Sequence, residues 1–385
     1  MKVRPLWVVF TILVIAVILR PPVAQIGPIL DLIQAKLSLS DTETALLAAI
    51  PVMCFGFGAF ATPALVRRFG VNKTMVWLLS LLFVAIAARP YLGFLGLIAG
   101  TTIAGLTIAV ANVLLPTVVR ARFPKKVVPL TAGYTTILAA SASFAAAFSY
   151  PSAAQFGWQM ALELWALPAL LALGLSLTLL GGGSNSANDE PEEHSGDFKL
   201  IRRSPIAWSI IGLFGIQSLG FYALLAWLPN FAIDSGMSPS DAGALLSLMT
   251  AVGVPVGLLL SSNFGRFKNL APVGAVISMV TIGGLVLLLM HVWVPAVIVI
   301  GIGQASSFPL SLSLISTRAG NQRLTTMLSS VSQGVGYLVA AGGTFLFGWL
   351  AKVTGDWQVS VIGLTALTII QVVAAWYAGR PQVIK

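Results

Sequence analysis

The chain has 385 residues, of which 57% are hydrophobic and only 9% charged. With a mean hydropathy of +0.93 it has too few polar groups to cover a water-soluble globule. A net charge of +10 would suit a nucleic-acid partner, but the charges fall between apolar segments rather than in one patch, so the sequence reads as an integral membrane protein.

Apolar stretches of about 20 residues, the length that crosses hydrocarbon, are expected at twelve places. They cover 6–33, 42–66, 74–88, 93–119, 128–150, 159–180, 206–232, 240–263, 270–290, 293–317, 325–350 and 359–379. The first carries Arg20 in its interior, followed by Pro21, Pro22, Gly27 and Pro28. A guanidinium keeps its proton, and holding it at bilayer depth costs about 2.5–3.5 kcal/mol on insertion scales, so it normally faces a wet cavity or an anion. The prolines predict a bend at that charge. Asp31 is the one acid on that helix; eleven residues on, about 16 Å away at 1.5 Å per residue, it does not pair with Arg20 in an intact helix.

Ser40-Asp41-Thr42-Glu43 reads as a capping box opening the second stretch, which ends at Phe69-Gly70. The fourth carries Asn112 and Pro116 and ends in Arg120; the fifth carries Tyr134. Glu163 stands near the start of the sixth, as a boundary acid or, alternatively, a proton carrier. Residues 181–204, GGGSNSANDEPEEHSGDFKLIRRS, have nothing to bury and read as a flexible cytoplasmic linker between a first bundle, 1–180, and a second, 205–385.

The second six stretches echo the first. Ser238-Pro239-Ser240-Asp241 opens the eighth, which ends at Phe264-Gly265, and the tenth holds Pro309 and ends in Arg318. Gln217 and Tyr222 lie in the seventh, Gln304 and Ser307 in the tenth, Gln333 and Tyr337 in the eleventh. With the N-terminus inside, Lys36, Arg89 and Lys352 fall outside and Arg20 within the membrane; the other eighteen of the 22 lysines and arginines fall on the cytoplasmic side. Both termini are therefore expected in the cytoplasm. The first stretch is too long, and too interrupted by Arg20 and its prolines, for a cleavable signal peptide.

A duplicated six-helix unit accounts for these echoes, and the chain resembles the major facilitator superfamily and, within it, the cyanate and 2-nitroimidazole transporter branch. The resemblance rests on LRPPVAQIGPILDLI (19–33), ANVLLPTVVRARFP (111–124), LTAGY (130–134), FGWQ (156–159), RRSPIAW (202–208), AWLPN (226–230) and SQGVGYL (332–338). It implies an all-α integral membrane protein with twelve transmembrane helices in two pseudo-symmetric six-helix bundles, a substrate site near the midplane, and alternating access by rocking. It also implies a bacterial inner-membrane transporter of a small anion such as cyanate, or an exporter of small nitroaromatic compounds. Two departures stand out. No acid lies two places before Phe-Gly in either copy, which read Arg67-Arg68-Phe69-Gly70 and Ser262-Asn263-Phe264-Gly265, and the fifth span offers AASASFAAA (139–147) in place of Gly-Pro.

Arg20 is the expected anion ligand, with a structural role bonded to carbonyls as its alternative. Asn112, Tyr134, Gln217, Tyr222, Gln304, Ser307, Gln333 and Tyr337 lie at mid-span depth on helices that line the cavity in similar transporters; each is a candidate ligand or interhelical link. Gln217, Gln333 and Asn112 supply N–H donors for an anion held by Arg20. Glu163 and Asp31 are the candidates for proton coupling. His194, His291 and Cys54 assemble no HExxH, CxxC or GxSxG pattern, so no enzyme, cofactor or metal site is expected. Gly56-Phe57-Gly58 and Gly301-Ile302-Gly303 read as packing points rather than nucleotide loops. An anion channel is the competing reading, disfavoured by internal duplication without a filter-like loop. The expected partners are a small anionic molecule and the bilayer, without nucleic acid, for a monomeric carrier.

Overall fold

The computed structural model describes residues 5–181, 194–263, 267 and 269–384. The helices are α1 (Pro5–Ile18), α2 (Pro21–Ala24), α3 (Leu30–Leu37), α4 (Asp41–Ala88), α5 (Gly93–Arg122), α6 (Val127–Phe156), α7 (Trp158–Glu163), α8 (Ala166–Gly181), α9 (His194–Arg203), α10 (Pro205–Asp234), α11 (Pro239–Ala251), α12 (Gly253–Asn263), α13 (Ala271–Leu289), α14 (Trp293–Arg318), α15 (Gln322–Thr354) and α16 (Trp357–Gly379). The β-pairing among the described residues is an isolated bridge between Ala319 and Ile384.

Among the described residues, ten helical segments are long and apolar enough to cross a membrane. Two local breaks reconcile them with the twelve expected stretches. Gly70, at φ 75° and ψ 161°, interrupts α4, so the second and third stretches run into one another at a conformation that a residue without Cβ adopts readily. Thr74 Oγ1 donates to the Leu65 carbonyl across that break at 3.3 Å. The eighth stretch is divided between α11 and α12 and so falls short of spanning length in one piece. Elsewhere the expected boundaries hold to within a few residues, because caps fix them. Ser204 and Pro205 start α10 where 206 was expected, and Asn321 caps α15.

The opening of α4 is the expected capping box: the Ser40 N–H donates to Glu43 Oε2 at 2.8 Å and the Glu43 N–H to Ser40 Oγ at 3.3 Å. Ser238 caps α11 likewise, accepting the Asp241 N–H at 3.2 Å, but the shorter Asp241 side chain meets the Ser238 hydroxyl at 2.7 Å. The Phe264-Gly265 pair lies outside the described residues, as does half of the expected linker, 182–193. From His194 the chain is helical, and Trp208 Nε1 donates back to the Arg202 carbonyl at 3.0 Å.

The chain forms two compact units. One holds residues up to Val118 together with Ile137–His194; the other holds Val119–Thr136 together with Ser195 onward. In the first, Ile26, Ile29 and Ile33 of the broken first span pack with Leu97, Trp158 and Leu162. Gly58 and Gly105 let α4 and α5 approach closely: a Cβ at either would lie 2.7 Å from the Cβ of Ala109 or Cys54 respectively.

In the second unit α10 packs chiefly on α15, and α13 on α14 and α16. The α10–α15 contact is a small-residue approach, in which a Cβ on Gly215 would meet Gly336 Cα at 3.6 Å. Gly301 and Gly303 are likewise contact points, against the Met249 carbonyl and Thr281. Arg318 is buried and donates through Nε to the Ala378 carbonyl at 3.2 Å and through Nη2 to the Gly379 carbonyl at 2.8 Å, satisfying the end of α16. Arg120 does the same at the end of α14, donating to the carbonyls of Ser316 and Gly320. Large apolar side chains such as Trp77, Leu95, Phe345 and Ile370 stand exposed, as a surface bathed in hydrocarbon requires.

Candidate functional site

In the first unit the prolines after Arg20 remove two amide donors, and the helix ends at Ile18. Arg20 becomes the N-cap of the short α2, with φ −120° and ψ −41°, and its carbonyl accepts the N–H groups of both Val23 and Ala24. Its half-buried side chain lies over the face of Phe55 from α4, with Cζ 5.9 Å from the ring centroid. The charge thus stands where the expected bend occurs. Asn112 is buried on α5 of this unit.

Glu163, at the end of α7, accepts a hydrogen bond from the Tyr91 hydroxyl at the exposed edge of the unit. For Asp31 the structure describes the helix of α3 but not the side chain.

Five of the sequence candidates come together in the second unit. Tyr337 on α15 packs edge-on against Phe214 at 5.4 Å and Tyr222 at 6.3 Å, both on α10. Gln333, one turn before Tyr337, donates to Ser329 Oγ at 2.8 Å. Gln217 lies between the two α10 aromatics in sequence and donates to the Phe214 carbonyl at 3.2 Å and Ser218 Oγ at 2.6 Å. Gln304 reaches from α14 to Gly220, where a Cβ would meet its Nε2 at 2.9 Å, and its Oε1 is buried without a hydrogen-bond partner among the described residues. The result is an aromatic cluster between α10 and α15, with Gln217 and Gln333 on the same two helices and Gln304 meeting α10 at Gly220.

Ser307 stands apart from this group. Its hydroxyl accepts from Gln371 Nε2 at 3.5 Å, and the same nitrogen meets Ser278 Oγ at 3.2 Å, so α13, α14 and α16 are tied through one amide. Tyr134 is fully buried in α6 within the Val119–Thr136 segment.

Sequence reasoning missed two residues of consequence. Gln371 is one polar group in an apolar span and carries no local signal of its role. Arg89 was assigned to an outer loop, yet it is 1% exposed and donates from Nη1 to the Pro22 carbonyl at 3.0 Å, 67 residues away in sequence. The available signal was local: Pro90 and Gly93 mark a tight turn, and Gly100 makes room beside the arginine.

Among the described residues no group of three or more His, Cys, Asp or Glu side chains gathers as a metal site would. The first unit thus carries a cation on a broken helix and a buried amide, Asn112, on α5, and the second carries amides and phenols on long helices.

The family model of the Major Facilitator Superfamily matches residues 6–344. The chain belongs to that superfamily. It is 33% identical over 393 residues to an uncharacterized transporter of Bacillus subtilis, covering 100% of this chain and 96% of that protein. It is 32% identical over 385 residues to the 2-nitroimidazole transporter of Escherichia coli, covering 97% and 95%. It is 28% identical over 369 residues to the cyanate transport protein of the same organism, covering 91% and 93%. Among solved structures, the proton:xylose symporter XylE superposes with a TM-score of 0.82 over 99% of this chain and 97% of that one, at 12% identity, which speaks to the fold alone. The major facilitator fold is thus established, and the chain is a membrane-spanning transporter of that superfamily.

Proposed function

We propose that this transporter moves a small monovalent anion of cyanate type by alternating access, with Arg20 as the ligand that carries the opposite charge. The observation that carries this reading is the position of Arg20: a permanent cation at the break of the first span, held over the Phe55 ring in a stretch rich in apolar side chains. At an effective dielectric near 20, opposite unit charges 4 Å apart attract by about 4 kcal/mol before desolvation, enough to select one negative charge. The planar guanidinium also donates along two parallel lines, which suits an anion with two acceptor atoms. Asn112 offers an amide donor in the unit that holds Arg20, and the second unit holds candidate ligands of its own, the amides of Gln217, Gln304 and Gln333 and the phenols of Tyr134, Tyr222 and Tyr337. The bacterial inner membrane with both termini in the cytoplasm is the location that suits the relatives' organisms and the distribution of Lys and Arg.

The second reading is export of a small nitroaromatic compound. It is favoured by the aromatic cluster of Phe214, Tyr222 and Tyr337, a kind of side chain that packs against flat rings, and by the 2-nitroimidazole transporter among the relatives.

Voltage separates the two. Moving one negative charge inward against a negative interior costs about 2.3 kcal/mol per 100 mV, so concentrative entry of an anion needs exchange or a coupled cation, with Glu163 and Asp31 the candidate proton sites, whereas exit runs downhill. With purified protein in liposomes, cyanate entry should accelerate under an inside-positive potential or an inward proton gradient. Flux indifferent to both, together with transport of neutral 2-nitroimidazole, would replace the anion reading by the second.

A further inference from the structure

The first span is broken in a way that leaves the Pro22 carbonyl to be satisfied from elsewhere. Gln25 donates its N–H to the Pro21 carbonyl at 3.0 Å, as a helix would have it. The next donor, the Ile26 N–H, should reach Pro22; it turns instead to Val23 at 3.2 Å, the tighter pattern that leads into the single turn Gly27–Ile29. The Pro22 carbonyl is therefore released from the ladder, two residues after the charge of Arg20. Arg89 fills the vacancy from the end of α4, with Nη1 3.0 Å from that oxygen. Its neighbour on the other side is Gly100, where a Cβ would lie 2.4 Å from Arg89 Cβ, so the α5 backbone is shaped to admit this side chain. A second clamp acts on the same segment: Gln25 Nε2 donates to the Leu162 carbonyl at 3.3 Å.

What sets Arg89 apart from an ordinary pin is its residual chemistry. Nε and Nη2 are buried and have no hydrogen-bond partner among the described residues. Taking a guanidinium out of water for one carbonyl bond costs stability, and a neutral donor would satisfy the same oxygen without that cost. Residues that weaken a fold in this way are characteristic of functional sites.

We propose that Arg89 is a positioning residue for Arg20: by holding the Pro22 carbonyl it fixes the bend that aims Arg20 at its ligand, and its charge strengthens the positive field behind that ligand. The proposal rests on the reading of Arg20 as the anion ligand. In this arrangement the bend is a rigid, prepared feature rather than a hinge, and the energy lost in burying Arg89 is recovered in anion binding.

The test uses purified full-length protein with sodium cyanate as probe, read by titration, melting and hydrogen exchange. Arg89→Met should keep or raise the melting temperature while weakening cyanate binding about 10- to 100-fold, the usual size of an effect exerted through a neighbouring ligand. Arg89→Gln, which restores a donor without charge, should recover part of the loss, and Arg89→Lys, which restores both, more of it. In Arg89→Met, amide exchange should rise in residues 23–29 and not across the rest of the unit. Unchanged cyanate affinity in Arg89→Met overturns the proposal. So does a parallel loss of melting temperature and affinity with exchange raised throughout, which is the signature of a structural pin. If Arg20→Ala binds cyanate as the parent does, the anion reading falls; exchange in residues 23–29 of Arg89→Met then decides separately whether Arg89 fixes the bend.

Discussion

Arg20 and Phe55 form a cation–ring pair between the broken first span and α4, with the guanidinium carbon 5.9 Å from the ring centroid. Such a contact contributes about 0.5–2 kcal/mol as the site becomes drier. It restrains a long side chain on the one helix where the backbone ladder is interrupted. Replacing Phe55 with Leu should therefore weaken cyanate binding about three- to tenfold, while Tyr, which retains the ring face, should stay close to the parent. Titration of the two variants side by side checks this, and equal affinities for Leu and Phe would show that the ring does not orient the charge.

Arg318 closes the end of α16 through its bonds to the Ala378 and Gly379 carbonyls, and the Ile384 N–H returns to the Arg318 carbonyl at 2.8 Å. Hydrogen bonds to charged groups contribute about 1.5–3 kcal/mol each, and removing the donor leaves buried carbonyls orphaned. Arg318→Ala should lower stability by about 2–3 kcal/mol and loosen the C-terminal residues first. Melting in detergent and limited proteolysis of the C-terminus are the readouts.

The closeness of α10 and α15 depends on Gly336, where a Cβ would meet Phe214 Cδ1 at 2.4 Å. Phe214 is fully buried and Tyr337 packs on its edge, so the ring has little room to yield. Gly336→Ala should cost about 1–3 kcal/mol of stability by overpacking. It should also disturb the Phe214–Tyr222–Tyr337 cluster, so binding of an aromatic probe such as 2-nitroimidazole is expected to fall further than binding of cyanate. A Gly336→Ala protein with parent melting temperature would mean that the two helices separate freely.

Span positions were legible because hydrophobic length and caps are local properties. Ser204 with Pro205, and Ser40 with Glu43, announce their helices in the sequence, and the structure starts α10 and α4 there. The bend after Arg20 was legible for the same reason, since proline acts on its own helix. Gly70 was recognised as a repeated Phe-Gly position, but that a single residue separates two spans depends on a positive φ that composition does not reveal. Arg89 and Gln371 were illegible in a stronger sense. Their roles are defined by Pro22 and by Ser278 with Ser307, partners remote in the chain and brought close by packing alone.

The Ser40–Glu43 box gives a pH dependence with a definite sign. Bonds from the Ser40 N–H, then from its hydroxyl, hold the Glu43 carboxyl below its ordinary value of 4.5. A lowered folded value means that the ionised carboxylate stabilises fully above the ordinary carboxylate range and that this contribution disappears as pH falls through the folded value. Glu43→Gln keeps a side chain able to cap and removes the charge. Its melting temperature should lie below the parent's at neutral pH, and the gap should narrow as pH falls below the ordinary carboxylate range and the parent carboxyl takes up its proton. A gap that stays constant across that range would assign the stabilisation to something other than the charge.

Whether Arg20 is the anion ligand is decided by titrating cyanate into the parent, Arg20→Lys and Arg20→Ala, purified and of equal melting temperature. A graded loss is expected, with Lys impaired because the planar fork is gone while charge stays, and Ala nearly without binding. An Arg20→Ala protein that binds cyanate as tightly as the parent would contradict that assignment.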